Sequence, residues 1–278
     1  MSTETHEAKP VEEKPQAADA GVLTAISRAE LDQQITTARA FPRSIKQFVD
    51  ECMSMATLNE RVASQCFYVL PARRGGGGEP IEGPSARMAE IVASAWGNCR
   101  AGAQVVEEGP EFVTARGVFH DLERNVSITM DVRRRITTKT GQRYSADMIA
   151  VTGNAACSIA LRNAVFKGIP KAFWEDIYQA ARKAAVGDIK TLAANRAAAL
   201  GYCAKMGIQK EAVLGALGVP SVEDIGLEHL ATLKGLLTAI KDGDTTIEQA
   251  FRPPAPAGAS EPSPKGLAGL KEKLEKQP

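Results

Sequence analysis

GAQVVEEGPEFVTARGVFHDLERNVSITMDVRRRI, residues 102–136, decides the fold. Apolar side chains recur at every second position, and the runs are broken at Glu108-Gly109-Pro110 and at Asp121-Leu122-Glu123-Arg124-Asn125. Period two with turn residues between the runs predicts three antiparallel strands joined as a meander. In the third run Val126, Ile128, Met130 and Val132 share one face, and Ser127, Thr129, Asp131, Arg133 and Arg135 share the other. The sheet therefore has one core face and one wet face that carries cations at its end.

The segments on either side change to a helical period. Downstream, TKTGQRYSADM leads into MIAVTGNAACSIALRNAVFKGIP, a long small-residue helix that begins at Ala146 or Asn154 and runs to Lys167, stopped by Gly168 and Pro170. Arg162 is its only charge between Ala155 and Phe166, so it is expected to pack against the sheet. Upstream, Met88, Ile91, Val92, Ala95 and Trp96 mark a helix whose first turn suits Pro84 and Ser85 and whose end suits Gly97-Asn98. Arg87, Glu90 and Ser94 are expected to face away from the core. Helices are also expected over residues 28–40 and 44–55, with QCFYVLPA as a candidate strand before a glycine-rich connection. Residues 171–205 continue helical, followed by QKEAVLGALG, HLATLKGLLTAI and a capping box, Thr245-Thr246-Ile247-Glu248.

The expected fold is α+β: a three-stranded antiparallel meander packed on a long helix, with flanking helices and a small helical C-terminal part. Its divisions are an acidic aperiodic tail (1–20), a core (21–205), a small helical segment (206–251) and a Pro/Ala-rich linker with a short terminal helix (252–278). That last helix offers Leu267, Leu270 and Leu274 as one apolar stripe.

The 278 residues, 44% of them hydrophobic, suffice for a real core. No uninterrupted apolar run approaches the roughly 18 residues of a membrane span, and the polar, acidic start lacks a signal-peptide stretch. A soluble, cytoplasmic protein is the expectation. Five cysteines at irregular spacings, without a CxxC pair or a nearby histidine, read as reduced thiols rather than a metal site or a disulfide framework. No cofactor is expected. The formal net charge of +1 means that only the distribution of charge argues for nucleic acid.

Three cationic features stand out. Arg73 and Arg74 precede four consecutive glycines, Gly75 to Gly78, but Glu79-Pro80 follow where a phosphate-cradling P-loop needs lysine and a hydroxyl residue. ATP binding is therefore not expected, and a flexible basic connection is. RRRITTKTGQR brings Arg133, Arg134, Arg135, Lys139 and Arg143 together without a carboxylate between them; it reads as a nucleic-acid contact or a solvated hairpin tip. Arg162, Lys167, Lys171, Arg182 and Lys183 are interleaved with Phe166, Phe173, Trp174 and Tyr178, which reads as single-strand stacking or as plain core. His6, His120 and His229 are isolated, so no nucleophile–histidine site assembles. Glu107, Glu108, Glu111, Asp121 and Glu123 crowd the hairpin ends and leave open a metal-dependent nuclease or another DNA-processing enzyme. An oligomeric structural protein is a further alternative.

IEGPSARMAEIVASAWGN, the meander FHDLERNVSITMDVRRRI and the helix ending LRNAVFKGIPKAF, taken in this order over about residues 40–250, resemble the phage and prophage single-strand annealing recombination proteins of the Erf, RecT and Redβ type. The resemblance implies a homo-oligomeric ring or filament that binds single-stranded DNA in a basic groove between meander and long helix and anneals complementary strands without ATP. It implies a DNA-binding set of Arg133, Arg135, Lys139 and Arg143 from the meander's exit, Arg162 and Lys167 from the helix, and Arg73, Arg74 and Arg87 from the glycine connection and the helix after it. A phage exonuclease or a host single-strand binding protein is an implied partner. The near-neutral net charge departs from the stronger positive bias such proteins would be expected to carry.

Overall fold

The computed structural model describes residues 20–71 and 80–251. It separates into two compact units, residues 1–42 and residues 43–278. The described part of the first is one helix, α1 (Ala20–Ala40), which starts eight residues earlier than its apolar period suggested.

The second unit opens with α2 (Ile45–Ala56), capped by Ser44, whose hydroxyl accepts from the Gln47 N–H. Phe48, Cys52 and Ala56, four residues apart, are its buried stripe. A short helix, α3 (Glu60–Ser64), leads to β1 (Phe67–Leu70), which pairs antiparallel with β2 (Ile81–Pro84). The strands flanking the glycine segment are thus partners in a hairpin. β2 was not expected; Pro84 was expected in the first turn of the helix that follows, and it ends this strand instead. Helix α4 (Ala86–Trp96) follows with the expected inner face and with Arg87, Glu90 and Ser94 exposed. Ser85 caps it, accepting from the Met88 N–H while its own hydroxyl donates to the Gln65 carbonyl.

The meander is β3 (Cys99–Glu108), β4 (Phe112–Asp121) and β5 (Val126–Arg135), in sheet order β3-β4-β5. Register pairs Gly117 with Ala103 and Met130, and Arg116 with Gln104 and Asp131, which confirms the two-faced alternation. A bulge between Val105 and Glu107 bends the edge strand β3.

Helix α5 (Ala146–Gly168) lies along the inner face of this sheet. Ser145 caps it by accepting from the Met148 N–H, which selects Ala146 over Asn154 as its start. Gly153, Ala156, Ala160 and Ala164 form a stripe of small buried residues, so helix and strand backbones approach closely. A Cβ on Gly117 would overlap the Ala160 carbonyl. By length and composition α5 could cross a bilayer, with mean hydropathy 1.2 over an 18-residue window, although polar residues interrupt its apolar run. Here it is packed on the sheet.

After a 3₁₀ turn (Lys171–Phe173) come α6 (Glu175–Val186), α7 (Leu192–Lys205), α8 (Lys210–Leu217), α9 (Leu227–Lys241) and α10 (Ile247–Ala250). Val213, Ile225, Leu230, Leu233 and Leu236 enter the same core as Phe48, Trp96 and Ile177, so the C-terminal helices share the core of the segments before them. Phe48 meets Trp96 edge-on at 5.1 Å, and Phe166 lies 4.7 Å from Trp174. Trp174 and Tyr178 are each 6% exposed, so these aromatics are core and not a stacking platform for bases.

Candidate nucleic-acid interface

One face of the β3-β4-β5 sheet is sealed by α5; the other, among the described residues, is open, with Arg116, Val118, Arg133 and Arg135 exposed. Strand alternation places Arg100 of β3, Arg116 and His120 of β4, and Arg133 and Arg135 of β5 on the open face. Arg116 and Asp131 form a two-pronged pair, 2.8 Å at each contact, with both side chains nearly half exposed. That hydrogen bonding holds the Asp131 carboxyl below the usual range. Arg133 and Arg135 each place the guanidinium carbon 4.8 Å from the Phe112 ring centroid, one strand across. Arg133 and Arg100 enter no described ion pair.

The basic stretch after β5 has carboxylate partners that its own sequence lacks. The meander returns the β3–β4 turn alongside the exit of β5, so Glu111 lies 3.4 Å from Arg135 and Glu108 lies 2.5 Å from Arg143. Arg143 also donates to the carbonyls of Gly109 and Pro110, at 2.7 and 3.0 Å. The isolated bridge between Thr137 and Arg143 makes the intervening residues, with exposed Lys139, a small hairpin. Arg133, Arg135, Lys139 and Arg143 are therefore gathered on or beside one end of the open face.

The remaining cations of the expected set are not brought to that end. Arg162 is on the helix side of the sheet, 13% exposed; it pairs with Asp244 at 3.0 Å and lies 4.5 Å over the Tyr68 ring. Arg134, one residue out of phase with Arg133 and Arg135, is on the helix side too and donates to the Gly243 carbonyl at 2.5 Å. Lys167 is exposed near the end of α5, and Arg87 pairs with Glu90 at 2.7 Å on the surface of α4. Arg73 and Arg74 lie outside the described residues. A continuous groove between meander and helix is not what the cations line, because the centre of that seam is closed by Gly117 against Ala160. A cleft does open at its end, a cavity of about 560 Å3 between Val105, Val113, Tyr144, Ile149 and Gly153, with Arg143 at its rim.

Arg100 and Arg116 were not part of the expected set, although alternation could have found them. Arg100 lies two residues before the stretch read as the first strand, and Arg116 stands alone among apolar neighbours. Arg43 was also missed. It joins Asp121 through two contacts, of 2.5 and 2.7 Å, pairs with Glu123 at 3.2 Å, and lies 4.2 Å over Trp96.

The carboxylates that left a nuclease open are each engaged: Asp121 and Glu123 with Arg43, Glu108 with Arg143, Glu111 with Arg135, and Glu107 with the Thr114 hydroxyl. Among the described residues no three His, Cys, Asp or Glu side chains form a metal-ligating group. Cys52 and Cys66 are pushed up to about 12 by burial, to which the nearby Cys66 adds for Cys52; no described cysteine is in a disulfide. No family model, no curated protein and no solved structure matches the chain.

Proposed function

We propose that this protein binds single-stranded DNA across the open face of the β3-β4-β5 sheet and anneals complementary strands without ATP, in the manner of the phage annealing proteins that its sequence resembles. The observation that carries the reading is that one sheet face, left uncovered in the protomer, presents arginines from all three strands: Arg100, Arg116, Arg133 and Arg135. Lys139 and Arg143 extend that surface past the end of β5. Such a face neutralises phosphates without reading bases, so it tolerates any sequence and lets two like-charged strands approach. Watson–Crick pairing then supplies specificity and driving force, and the protein needs no catalytic group.

The reading includes assembly of several protomers in the cytoplasm. Among the described residues both outer strands of the sheet have one unpaired edge, an arrangement that soluble proteins usually cover. At the β3 side Val105, Val106, Met148 and Val151 are 40–59% exposed, which makes this edge the apolar one. A second protomer placed there would extend the cationic face across several chains.

The test is single-strand binding followed by fluorescence anisotropy against salt, with a protein-only annealing assay beside it. Replacing Arg100, Arg133 and Arg135 together by alanine should weaken binding equally for all sequences and lower the log–log salt slope by about 0.7 per lost phosphate contact. Annealing should fall with binding. A folded triple variant with wild-type affinity and slope would place the DNA elsewhere.

A further inference from the structure

The corner between α9 and α10, Asp242-Gly243-Asp244, sets a carboxylate and a carbonyl against arginines from two other elements. Asp244 pairs with Arg162 of α5 at 3.0 Å, and the two side chains are 6% and 13% exposed. The Gly243 carbonyl accepts from Arg134 of β5. Burial and the neighbouring Asp244 raise the pKa of Asp242, while Arg87 of α4, Lys241 and Arg162 pull it down. Tyr68 lies under the Arg162 guanidinium, 4.5 Å from ring centroid to guanidinium carbon. A carboxylate and a carbonyl from one tight turn thus meet Arg162 and Arg134. Oxygen acceptors facing a guanidinium are what a phosphate group also presents.

The corner is seated closely, and few hydrogen bonds tie it to α5 and β5. Gly243 has φ 77, in the left-handed region, and a Cβ there would come 3.1 Å from the Ala155 Cβ. Its backbone hydrogen bonds run back to its own helix, from the Asp242 N–H to Thr238 and from the Asp244 N–H to Ala239. Among the described residues, the hydrogen bonds from the corner to α5 and β5 are those to Arg134 and Arg162. Exchanging those two contacts for contacts to another anion would release the corner without breaking its internal bonds.

We propose that Arg134 and Arg162 form a phosphate-binding site that the chain's own Asp242-Gly243-Asp244 turn occupies, so that nucleic acid and turn compete for the same arginines. The proposal rests on the single-strand binding reading above and adds a site on the opposite side of the sheet from the open face. The turn acts as a resident anion. It gives the partly buried Arg134 and Arg162 hydrogen-bond acceptors, and it sets a threshold that a polyphosphate must exceed.

The experiment compares the full-length protein with Asp244→Asn and with the double variant Asp244→Asn/Arg162→Gln. Inorganic tripolyphosphate and a single-stranded oligonucleotide are the probes. Asp244→Asn should bind the oligonucleotide more tightly than wild type, with a salt slope steeper by about 0.7 for one added phosphate contact. Tripolyphosphate should raise its melting temperature more than that of wild type, and the double variant should lose both gains. A folded Asp244→Asn protein with unchanged or weaker binding and no response to tripolyphosphate overturns the proposal. Hydrogen exchange on the unmodified protein gives a reading even if the variant does not fold: tripolyphosphate should speed exchange at residues 242–249, and unchanged protection there at saturating anion overturns the site. If tripolyphosphate acts through Asp244 while neither protein binds the oligonucleotide, the anion site stands and the DNA reading falls.

Discussion

Asp121 is the residue on which a single substitution should report most clearly. Its carboxylate accepts from both terminal nitrogens of Arg43, at 2.5 and 2.7 Å, from Trp96 Nε1 at 3.1 Å, and from the backbone N–H groups of Glu123 and Arg124, at 3.0 and 3.2 Å. The side chain is 2% exposed and that of Arg43 7%. One carboxylate thereby ties the start of the second unit to the last residue of β4, to the end of α4 and to the turn before β5. Burial alone would raise its pKa, but the hydrogen bonds from Arg43, Trp96 and the backbone, with the charge of Arg43, outweigh burial and hold it at about 2, against an ordinary 3.8. That depression corresponds to about 2–3 kcal/mol of stability at neutral pH. Asp121→Asn keeps the shape but leaves Arg43 buried beside an amide. Leaving a buried charge without any partner costs about 3–5 kcal/mol; because Glu123 remains 3.2 Å from Arg43, the lower end of that range is expected, a drop in melting temperature on the order of 10 °C for a chain of this size. The pH dependence fixes the sign. A depressed carboxylate stabilises above its unfolded pKa and loses that contribution as pH falls toward its folded pKa, so the gap between wild type and Asp121→Asn should be full at pH 6 and narrow between pH 4 and pH 2. Thermal melts by circular dichroism measure it. A variant melting within 2 °C of wild type at pH 6, as an estimate of no effect, or a gap that does not shrink with acid, would refute the latch.

Two further outcomes test the packing and the edge. Gly117→Ala should cost about 1–3 kcal/mol or more in urea unfolding, because the new methyl meets backbone atoms of Ala160 and Leu161 that cannot rotate away; a neutral substitution would mean that helix and strand are farther apart. Val105→Lys with Val151→Glu, both at exposed positions, should leave the unfolding free energy within about 0.5 kcal/mol of wild type yet, on the proposed assembly, reduce the multimer mass seen by light scattering. An unchanged mass would move the protomer contact off the β3 edge.

What was legible in the sequence followed from local periodicity. The meander, its two faces, the inward stripe of α4 and the packing of α5 on the sheet all need only the period of the apolar residues and the identity of the breakers. β2 was not legible, because Ile81–Pro84 has strand character through pairing with β1 and not through its own residues. Arg43 was not legible either, since its partner is Asp121, 78 residues away. For the candidate site, Arg133, Arg135, Lys139 and Arg143 lie near one another at the end of β5, but their electrostatics were not legible. Alternation turns Arg134 to the helix side, and the β3–β4 turn delivers Glu108 and Glu111 from outside the stretch. Trp174, left between core and base-stacking readings, is resolved by its indole N–H, which donates to the Ile169 carbonyl inside the core.

The net charge of +1, which departs from what the resemblance implies, becomes intelligible once the pairs are placed. On the open face Arg116 is matched by Asp131, and at its end Arg135 and Arg143 are matched by Glu111 and Glu108, all through half-exposed contacts. Half-exposed pairs of this kind are worth little to the fold, about 0–1 kcal/mol each. Under the proposed function they can be exchanged for phosphate contacts at small cost, so they would lower the affinity of one protomer without abolishing the site. On the proposed reading, a protomer with few uncompensated cations binds a strand weakly and releases it readily, whereas several protomers aligned along one strand add their contacts through high effective concentration. Weak local contact with strong collective contact suits annealing better than a tightly basic groove would. Each strand must be held long enough to meet its complement, and the duplex must then leave a surface that no longer has a single strand to grip.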